Sequence, residues 1–524
     1  MQFSSTISVT DLNDYIAPSQ DCVVALNGKI KANDVGAAAE EVQLQPRVRA
    51  GTAGPPGGPQ PGDPVKVSLH DCLACSGCIT SAETVLLQQQ SSEEFLAKLA
   101  DPRVTVVVTV SPQSRAALAA YYNLSPATAL ARLAGWLKWL GVRAVWDLTT
   151  ARDLVLVEEA AEFMERFRSS REASTSAPSA GAAAPGPLPV MASACPGWVC
   201  YAEKTHGSRV LPHLSSTRSP QGAMGGLVKS LVAGAWGLAP ASLYHVSVMP
   251  CYDKKLEASR DELTTALPPG APSPDGEPGE GRVPEVDCCL TTGEVLQLLQ
   301  QRPPPGCSPE AGLADPAAPA AAPDALLPPG VAPPDDRLFG LQAASSSGGY
   351  ADYVFRSAAR ELAGLELPPG PLPWKSLRNA DFQELSLELP DLAVGQAGSR
   401  PPAALRFARV YGFRNIQTLL RQVKMGRCAY QYVEVMACPG GCLNGGGQIK
   451  PGPGVSPQQL IEQLELVYAH SDVAARAPTD NPAVAALYNH WLGGRPGSAA
   501  ARQLLHTTFR EREKTVTAAV VANW

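Results

Sequence analysis

The 524-residue chain lacks any run of basic residues, and its 43 Lys and Arg against 49 Asp and Glu give a net charge of −6. Because neutralising phosphates needs clustered Lys and Arg, a dedicated nucleic-acid binder is excluded. Long apolar runs are also missing: residues 104–110 and 227–238 are short or contain a lysine, so no membrane contact is predicted. The first residues have neither a basic nor an apolar stretch, which predicts a soluble, intracellular protein without a secretory signal.

Proline and glycine are abundant, with 50 and 46 residues, and they are concentrated in a few segments. Such segments cannot bury a core, so they predict surface loops or disordered insertions. The segments are residues 50–64, 174–189, 267–284, 303–334, 367–373 and 394–402.

Between these segments, apolar β-branched runs alternate with stretches of helical spacing. Strands are predicted at residues 104–110, 142–148, 189–194, 244–249, 286–290, 405–411 and 431–437. Helices are predicted at residues 124–140, 150–167, 220–236, 292–301, 415–425 and 457–468. This alternation predicts an α/β fold with a mostly parallel sheet.

Thirteen cysteines in such a chain favour metal binding over disulfides for any clustered subset. Three predicted strands run into Cys195, Cys251 and Cys438, and Cys442 follows the last of these after a Pro-Gly-Gly turn. In open α/β sheets, ligands collect outside the carboxyl ends of the strands. Four thiolates complete a [4Fe–4S] cluster, so these four cysteines are predicted to hold one. For any one of them alone, a buried structural cysteine is the alternative.

A second cysteine group lies nearer the N-terminus. Cys72, Cys75 and Cys78 form the Cys-x2-Cys-x2-Cys run in which a tight loop wraps three thiolates around a ferredoxin-type cluster. Zinc is the rival ligand for Cys-x2-Cys spacing, although three cysteines in succession suit a cubane better. Cys22 is the nearest free candidate for the fourth ligand, and spacing alone leaves its geometry open.

The remaining cysteines have simpler explanations. Cys288 and Cys289 are adjacent on a predicted strand, where neighbouring side chains point to opposite faces and chelate poorly. Cys200 and Cys428 lie near predicted ligands, and packing is favoured over redox sensitivity. Cys307 falls inside a Pro-rich segment and is interpreted as an incidental thiol.

Several segments resemble, in order, the signature segments of iron-only hydrogenases: residues 193–198, 249–257, 286–294 and 436–448. The similarity is closer to the eukaryotic relatives of those enzymes, the nuclear prelamin A recognition factor-like proteins, which act as cytosolic iron–sulfur assembly factors. Three features are similar to that subgroup: residues 11–15 with a later cysteine, the isolated Cys-x2-Cys-x2-Cys run, and the terminal Trp524.

The resemblance implies an iron-only-hydrogenase large-subunit-like α/β fold, with two α/β lobes and a cluster between them. A small ferredoxin-like cluster segment would precede the lobes, and Pro/Gly/Ala-rich insertions would interrupt them. The implied division is a cluster segment at 1–100 with a linker at 50–64, a first lobe at 101–300 with insertions at 170–189 and 265–284, a disordered insertion at 301–337, a second lobe at 338–505, and a tail at 506–524.

The resemblance also implies two [4Fe–4S] clusters, one held by Cys22, Cys72, Cys75 and Cys78 and the other by Cys195, Cys251, Cys438 and Cys442. Hydrogenases have a proton-relaying cysteine directly before the Cys-Pro-Gly-Trp ligand, where this chain has Ala194. Because alanine cannot transfer a proton, hydrogen turnover is not expected and no catalytic residue is predicted. Residues similar to the lining of the di-iron pocket of hydrogenases are retained: Met249, Lys254, Met436 and the segment 347–349.

The function implied is that of a non-enzymatic assembly factor that helps deliver clusters to cytosolic and nuclear apoproteins. Its partners would be an assembly scaffold and the proteins of a targeting complex, with Trp524 as a docking residue. The location would be cytoplasmic, with the nucleus left open as a second site. Two alternatives stay open: an iron-only hydrogenase that turns over H₂, and a two-cluster electron carrier or oxygen-responsive regulator.

Overall fold

A computed structural model describes residues 2–4, 7–8, 89–172, 186–267, 281–335, 337–341, 345–389 and 403–512. The first predicted cluster site, comprising Cys22, Cys72, Cys75 and Cys78, lies outside the described residues, and so does Trp524. No helix in the described ranges is long and apolar enough to cross a membrane.

The described strands are β1 (Gln2–Ser4), β2 (Ile7–Ser8), β3 (Thr105–Val110), β4 (Ala144–Asp147), β5 (Val190–Ala192), β6 (Leu243–Met249), β7 (Thr264–Ala266), β8 (Arg282–Pro284), β9 (Cys288–Thr291), β10 (Leu338–Gly340), β11 (Lys375–Ser376), β12 (Phe382–Leu389), β13 (Ala403–Tyr411), β14 (Tyr432–Met436) and β15 (Val473–Ala475). The α-helices are α1 (Ser92–Ala100), α2 (Pro112–Tyr121), α3 (Pro126–Trp139), α4 (Thr149–Glu172), α5 (Pro196–Thr205), α6 (Pro220–Leu227), α7 (Ala233–Ala235), α8 (Asp253–Ala258), α9 (Thr292–Gln301), α10 (Tyr350–Ala363), α11 (Phe413–Lys424), α12 (Pro457–Tyr468), α13 (Pro482–His490) and α14 (Ala499–Leu505). A π-helical turn, Val228–Val232, joins α6 to α7, and short 3₁₀ turns lie at Gly207–Arg209, Leu211–His213, Pro240–Ser242, Gly312–Ala314, Cys442–Asn444 and Pro478–Asp480.

Two sheets form the frame of the molecule. The first is parallel throughout, with strand order β4-β3-β6-β9. The second has the order β11-β12-β13-β14-β5, with antiparallel pairing from β11 to β13 and parallel pairing from β13 to β5. In the second half of its antiparallel strand β12, Ser386 and Glu388 are exposed while Leu385 and Leu389 are buried, which is typical of a strand with one face toward solvent. The predicted α/β fold with mostly parallel strands is confirmed.

Helices cover both sheets because the strands bury apolar side chains on both faces. In β3, Val106 and Val108 belong to one apolar core and Val107 to the core on the opposite face. On the second sheet, the Phe163 ring of α4 packs edge-on against Phe407 and Tyr432, at centroid distances of 5.2 and 5.5 Å. The sheets are therefore rigid supports for the loops at their carboxyl ends.

Helix starts follow the local sequence closely. Ser125 caps α3 by accepting a hydrogen bond from the Thr128 amide, and Pro126 occupies the first turn. In α9, Thr291 and Glu294 form a capping box, and the helix has the predicted bounds. The caps direct each chain segment out of a strand end and into a helix.

The strands of the two sheets are interleaved in the sequence. Strand β5, which lies before β6 in the chain, pairs with β14 in the second sheet, where Val190 is opposite Tyr432. This is possible because a parallel partner strand can come from a distant part of the chain. The predicted division into a lobe at 101–300 and a lobe at 338–505 stays a prediction.

Within the insertion predicted at 301–337, the described residues contact the first sheet. Leu313 is fully buried in the core of the first sheet, and Arg132 of α3 donates to its carbonyl at 2.7 Å. Asp324 hydrogen-bonds the edge strand β4 through both its backbone and its side chain. The proline and alanine content predicts that this segment lacks regular secondary structure. A few apolar and acidic side chains nevertheless fix the segment to the sheet.

Candidate metal centre

Cys195 follows the end of β5, and the neighbouring strand holds its position. Ser193 Oγ donates to the Val435 carbonyl at 2.5 Å and accepts the Cys195 amide at 3.0 Å. Cys195 then precedes Pro196, the first residue of α5, and its side chain is buried. The Ala437 amide lies 3.5 Å from Cys195 Sγ. The ends of β5 and β14 therefore meet at this thiol.

Cys251 follows the end of β6, so this thiol comes from the first sheet. The loop at 445–447 lies directly against it, because the Gly447 amide donates to the Pro250 carbonyl at 2.9 Å and the Gly447 carbonyl accepts the Gly293 amide at 3.0 Å. A Cβ at Gly447 would approach Thr291 Cγ2 to 2.6 Å, and one at Gly445 would overlap the Pro250 carbonyl. Glycine is required at these positions because two backbones touch.

Cys438 and Cys442 flank the turn that follows β14. Gly440 and Gly441 have φ angles of +69° and +78°, which favour glycine. The Gly440 amide donates to Asp381 Oδ1 at 2.8 Å, and the Cys442 amide donates to Ser347 Oγ at 3.0 Å. Asp381 and Ser347 thus fix the backbone of the turn, with Cys438 before it and Cys442 after it.

The thiol environments connect these segments. Burial, and then the negative charge of Asp253, raises the pKa of the Cys195 thiol to about 12, and the charge of Cys442 acts in the same direction. Burial raises the pKa of Cys442 to about 11, opposed by the positive charge of Lys254 and a hydrogen bond with Ser347. Buried thiols of this kind need added positive charge, such as iron, to become thiolates.

Asp253 connects the cysteine of the first sheet to those of the second. Burial raises the pKa of this carboxyl to about 6, opposed by a hydrogen bond with the Cys251 side chain and by Lys254. A Cβ on Gly197, two residues after Cys195, would overlap Asp253 Oδ2. Sequence reasoning did not single out Asp253, and its position two residues after a predicted ligand is the signal that could have found it.

The residues similar to the hydrogenase pocket lining also lie at this edge. Met436 and Met249 are buried, and Met436 Sδ is 4.0 Å from Cys442 Sγ. Lys254 Nζ donates to Ser219 Oγ at 3.0 Å and pairs with Glu257 at 2.6 Å. Lys254 and the following Lys255 are both buried, so the start of α8 is not a solvated surface.

The other described cysteines lie apart from this edge or pack in the cores. Cys288 and Cys289 are both buried, and they belong to the apolar cores on opposite faces of the first sheet, as predicted for neighbours on a strand. Burial raises the pKa of Cys200 to about 12, and Cys428 packs at the margin of the second sheet's core.

Within the described ranges, no group of three or more His, Cys, Asp or Glu side chains could hold a metal ion as it stands. The donor set nevertheless fits an iron–sulfur cluster in its chemistry. The four thiols follow three strand ends and one turn, and these belong to two sheets. Glycines stand where the backbone comes closest to the thiols, and sulfur ligands are those that such clusters require.

Comparisons with known proteins agree with this geometry. The family model for the iron only hydrogenase large subunit, C-terminal domain, matches residues 104–446, and that for the iron hydrogenase small subunit matches residues 460–512. Protein NAR1 from Arabidopsis thaliana is 43% identical over 528 residues, covering 100% of this chain and 99% of the relative. Cytosolic iron-sulfur assembly component 3 from Mus musculus is 44% identical over 530 residues, covering 98% and 97%.

Solved structures show the same fold. A variant of [FeFe]-hydrogenase HydA1 from Chlamydomonas reinhardtii matches with a TM-score of 0.64 and 27% identity, covering 80% of this chain and 99% of that one. The iron-only-hydrogenase-like fold implied by the sequence resemblance is therefore confirmed.

Proposed function

Because the chain belongs to the iron-only hydrogenase family and, within it, to the cytosolic iron–sulfur assembly components, we propose that it is an assembly factor for cytosolic iron–sulfur proteins. It works without enzymatic turnover and holds two [4Fe–4S] clusters. Membership of this family makes the protein an iron–sulfur protein; the number and type of its clusters are part of the proposal.

One observation supports the second cluster more than any other. Cys195, Cys251 and Cys438 follow the ends of the parallel strands β5, β6 and β14, and Cys442 follows the turn after β14. We assign these four thiols as the cluster ligands. Thiols scattered for packing alone would not need the glycines that let the loop at 445–447 touch both Pro250 and Thr291.

Residues around these thiols have distinct tasks in the proposed site. The cluster, when bound, supplies iron and sulfide that can be retained or handed on. Ser193 fixes the backbone of Cys195, and Ser347 fixes that of Cys442. Lys254 contributes the positive charge that favours the thiolate of Cys442.

Ala194 is the reason that we expect no hydrogenase activity. This half-buried methyl group directly precedes Cys195, where the resemblance places the proton-relaying cysteine of hydrogenases. A methyl group neither accepts nor donates a proton, so the terminal relay is missing. Retained pocket residues such as Met249 and Met436 preserve packing around the cysteines.

The remaining parts of the proposal lie outside the described residues. Cys22, Cys72, Cys75 and Cys78 would hold the first cluster, which the Cys-x2-Cys-x2-Cys run supports. Trp524 would dock the chain on a targeting complex that receives clusters from a scaffold protein, in the cytoplasm and for nuclear apoproteins as well. Loss of Trp524 should abolish recovery of assembly partners in a pull-down; equal recovery would remove the docking role.

The central test is iron analysis with EPR on anaerobically reconstituted, full-length protein. We expect about eight iron atoms per chain, because each cubane contains four. Cys251→Ser should halve that content, and Cys428→Ser, a cysteine at the margin of a core, should leave it unchanged. A single cluster in the wild type would overturn the two-cluster assignment.

Hydrogen evolution with reduced viologen tests the absence of turnover on the same preparation. We expect no H₂ above the background of a sample without protein. Turnover, or infrared bands from CO and CN⁻ ligands, would favour the hydrogenase alternative instead.

A further inference from the structure

A cleft on the described surface adjoins one of the proposed cluster ligands. Ser193 and Pro196, which flank Cys195, line one side of it. Thr507 and Phe509 line another side, although they lie more than 300 positions later in the chain. We call residues 507–512 the C-terminal strap. The strap therefore forms part of the wall of a cleft next to the residues that neighbour Cys195 in the chain.

The two ends of the strap are held differently. At its start, the Thr507 amide donates to the Ser216 carbonyl at 2.8 Å, and the preceding His506 pairs with buried Glu158 at 3.0 Å. Beyond Phe509 the contacts of the strap are charged or polar. Arg510 pairs with Glu262 at 3.1 Å, and Arg512 pairs with Glu262 at 3.1 Å and with Glu203 at 3.2 Å. The Arg510 amide also donates to Glu203 Oε1 at 3.3 Å. One end is anchored in the core, and the other is held by partly exposed arginines.

The carboxylate beneath the strap is already neutralised without it. Glu203 is fully buried, and Arg260 binds both of its oxygens, at 2.7 and 3.0 Å. Release of Arg512 would therefore leave no unpaired buried charge, which is the usual large cost of breaking such contacts. Phe509 is only half-buried, with its ring 6.0 Å from the Arg260 guanidinium. The distal half of the strap can leave at low cost.

We propose that the C-terminal strap is a removable cover over the cleft beside Cys195, and that its release admits a chelator or an acceptor thiol to the cluster held there. The proposal rests on the proposed function, because it takes Cys195 as a cluster ligand.

The test uses full-length protein under argon, with Cys72→Ser and Cys75→Ser so that the iron counted comes from the second site. Bathophenanthroline disulfonate captures the released iron. In Arg510→Gln/Arg512→Gln we expect release roughly fivefold faster, because the distal contacts of the strap are lost while Arg260 keeps Glu203 paired. High salt should accelerate release from the protein with an intact strap and leave the variant almost unchanged, since salt screens exposed ion pairs.

A matched control removes two exposed arginines elsewhere. Arg168 and Arg502 pair with Glu361 and Glu165 away from the cleft, so Arg168→Gln/Arg502→Gln should release iron at the unaltered rate. Hydrogen exchange at residues 193–200 gives a second readout that needs no cluster, and it should be faster only in the strap variant.

Failure of the strap and failure of the proposed function can be told apart. Equal iron release and equal exchange in the strap and control variants would overturn the strap, even if the second cluster is present. Equal iron content in wild type and Cys251→Ser would overturn the second cluster, while the exchange experiment would still decide the strap.

Discussion

At the scale of single residues, the most unusual groups outside the cysteine site are the buried acids of α4. Ser215 Oγ lies 2.6 Å from Glu159 Oε2 and 2.8 Å from Glu162 Oε2, so two carboxyl groups compete for one hydroxyl proton. Burial, and then the negative charge of Glu162, raises the pKa of Glu159 to about 8. Glu162 is held charged by Arg166, at 2.5 Å. Glu159 is therefore the member of the pair that keeps its proton.

This assignment predicts how stability depends on pH. The folded pKa of Glu159 lies above its unfolded value near 4.5, so the unfolded state binds fewer protons and stability falls as pH rises toward 8. Glu159→Gln stays neutral, so its free energy of unfolding relative to that of the wild type should rise by about 2 kcal/mol between pH 6 and pH 8. Anaerobic urea unfolding at the two pH values measures this difference.

Glu165→Gln, an exposed position on the same helix, provides the control and should follow the wild type at both pH values. If Glu159→Gln also ran parallel to the wild type, the raised pKa of Glu159 would be refuted.

The turn between Cys438 and Cys442 gives a second prediction for a single residue. Gly441 has a φ of +78°, and an added Cβ would overlap Ser347 Oγ. Gly441→Ala should therefore destabilise the protein by about 2 kcal/mol or more and reduce its bound iron by half. Gly452→Ala is the matched control, because no heavy atom lies within 4 Å of its added Cβ. Full iron content in Gly441→Ala would show that the turn does not hold ligands.

At the scale of elements, the segment at 303–335 behaves as part of the first sheet. Strand β4 is an edge strand, and such edges need covering. The Asp324 amide donates to the Val145 carbonyl at 2.8 Å, and Asp324 Oδ2 accepts the Val145 amide at 2.8 Å. Lys138 pairs with the same carboxylate at 2.9 Å. One aspartate thus continues the hydrogen bonding of the sheet.

Asp324→Ala should loosen this cover. The Val145 amide would lose its partner, at a cost of about 1–2 kcal/mol, and the segment should become several-fold more sensitive to limited proteolysis. Mass spectrometry of the first fragments locates the cuts. Glu310→Ala, an exposed residue of the same segment, should be cut at the wild-type rate. Unchanged cutting in Asp324→Ala would mean that the apolar contacts alone hold the segment.

The sequence predicts those elements whose signal is local. Helix α12 has the predicted bounds because Ser456, Pro457 and Gln459 specify its start. Strand β12 was missed because its alternating, partly exposed pattern lacks the apolar run of a central strand. The pairing of β5 with β14 could not be predicted, since neither strand carries information on its distant neighbour.

The residues of the candidate site also divide into those with a local sequence signal and those without one. Each cysteine at a strand end is visible in the sequence, because a short apolar run and a turn residue precede or follow it. Asp253 and Ser347 contribute through contacts made only after folding, so their interactions with Cys251 and Cys442 have no local signal.

At the scale of the whole molecule, the proposed cluster joins the two sheets. Cys251 comes from the first sheet, and Cys195, Cys438 and Cys442 come from the second. A group bound only by the folded arrangement stabilises that arrangement. Removal of iron by chelation should therefore lower the unfolding temperature by on the order of 5 °C or more, measured by calorimetry.

The position of the ligands makes this prediction specific. Cys251→Ser keeps the first cluster and loses the link to the first sheet, so it should unfold below the loaded protein and no lower than the iron-depleted protein. Cys428→Ser should retain the temperature of the loaded protein. Identical unfolding temperatures with and without iron would mean that the sheets hold together by packing alone.

The interleaving of the sheets has a consequence for synthesis. Val190 pairs with Tyr432, so β5 leaves the ribosome long before its partner strand exists. Contacts between such distant residues form slowly and late. In the proposed site, Cys195 would therefore stay an unliganded thiol until Cys438 and Cys442 have been translated. Loading of the second cluster would then follow synthesis of the turn after β14.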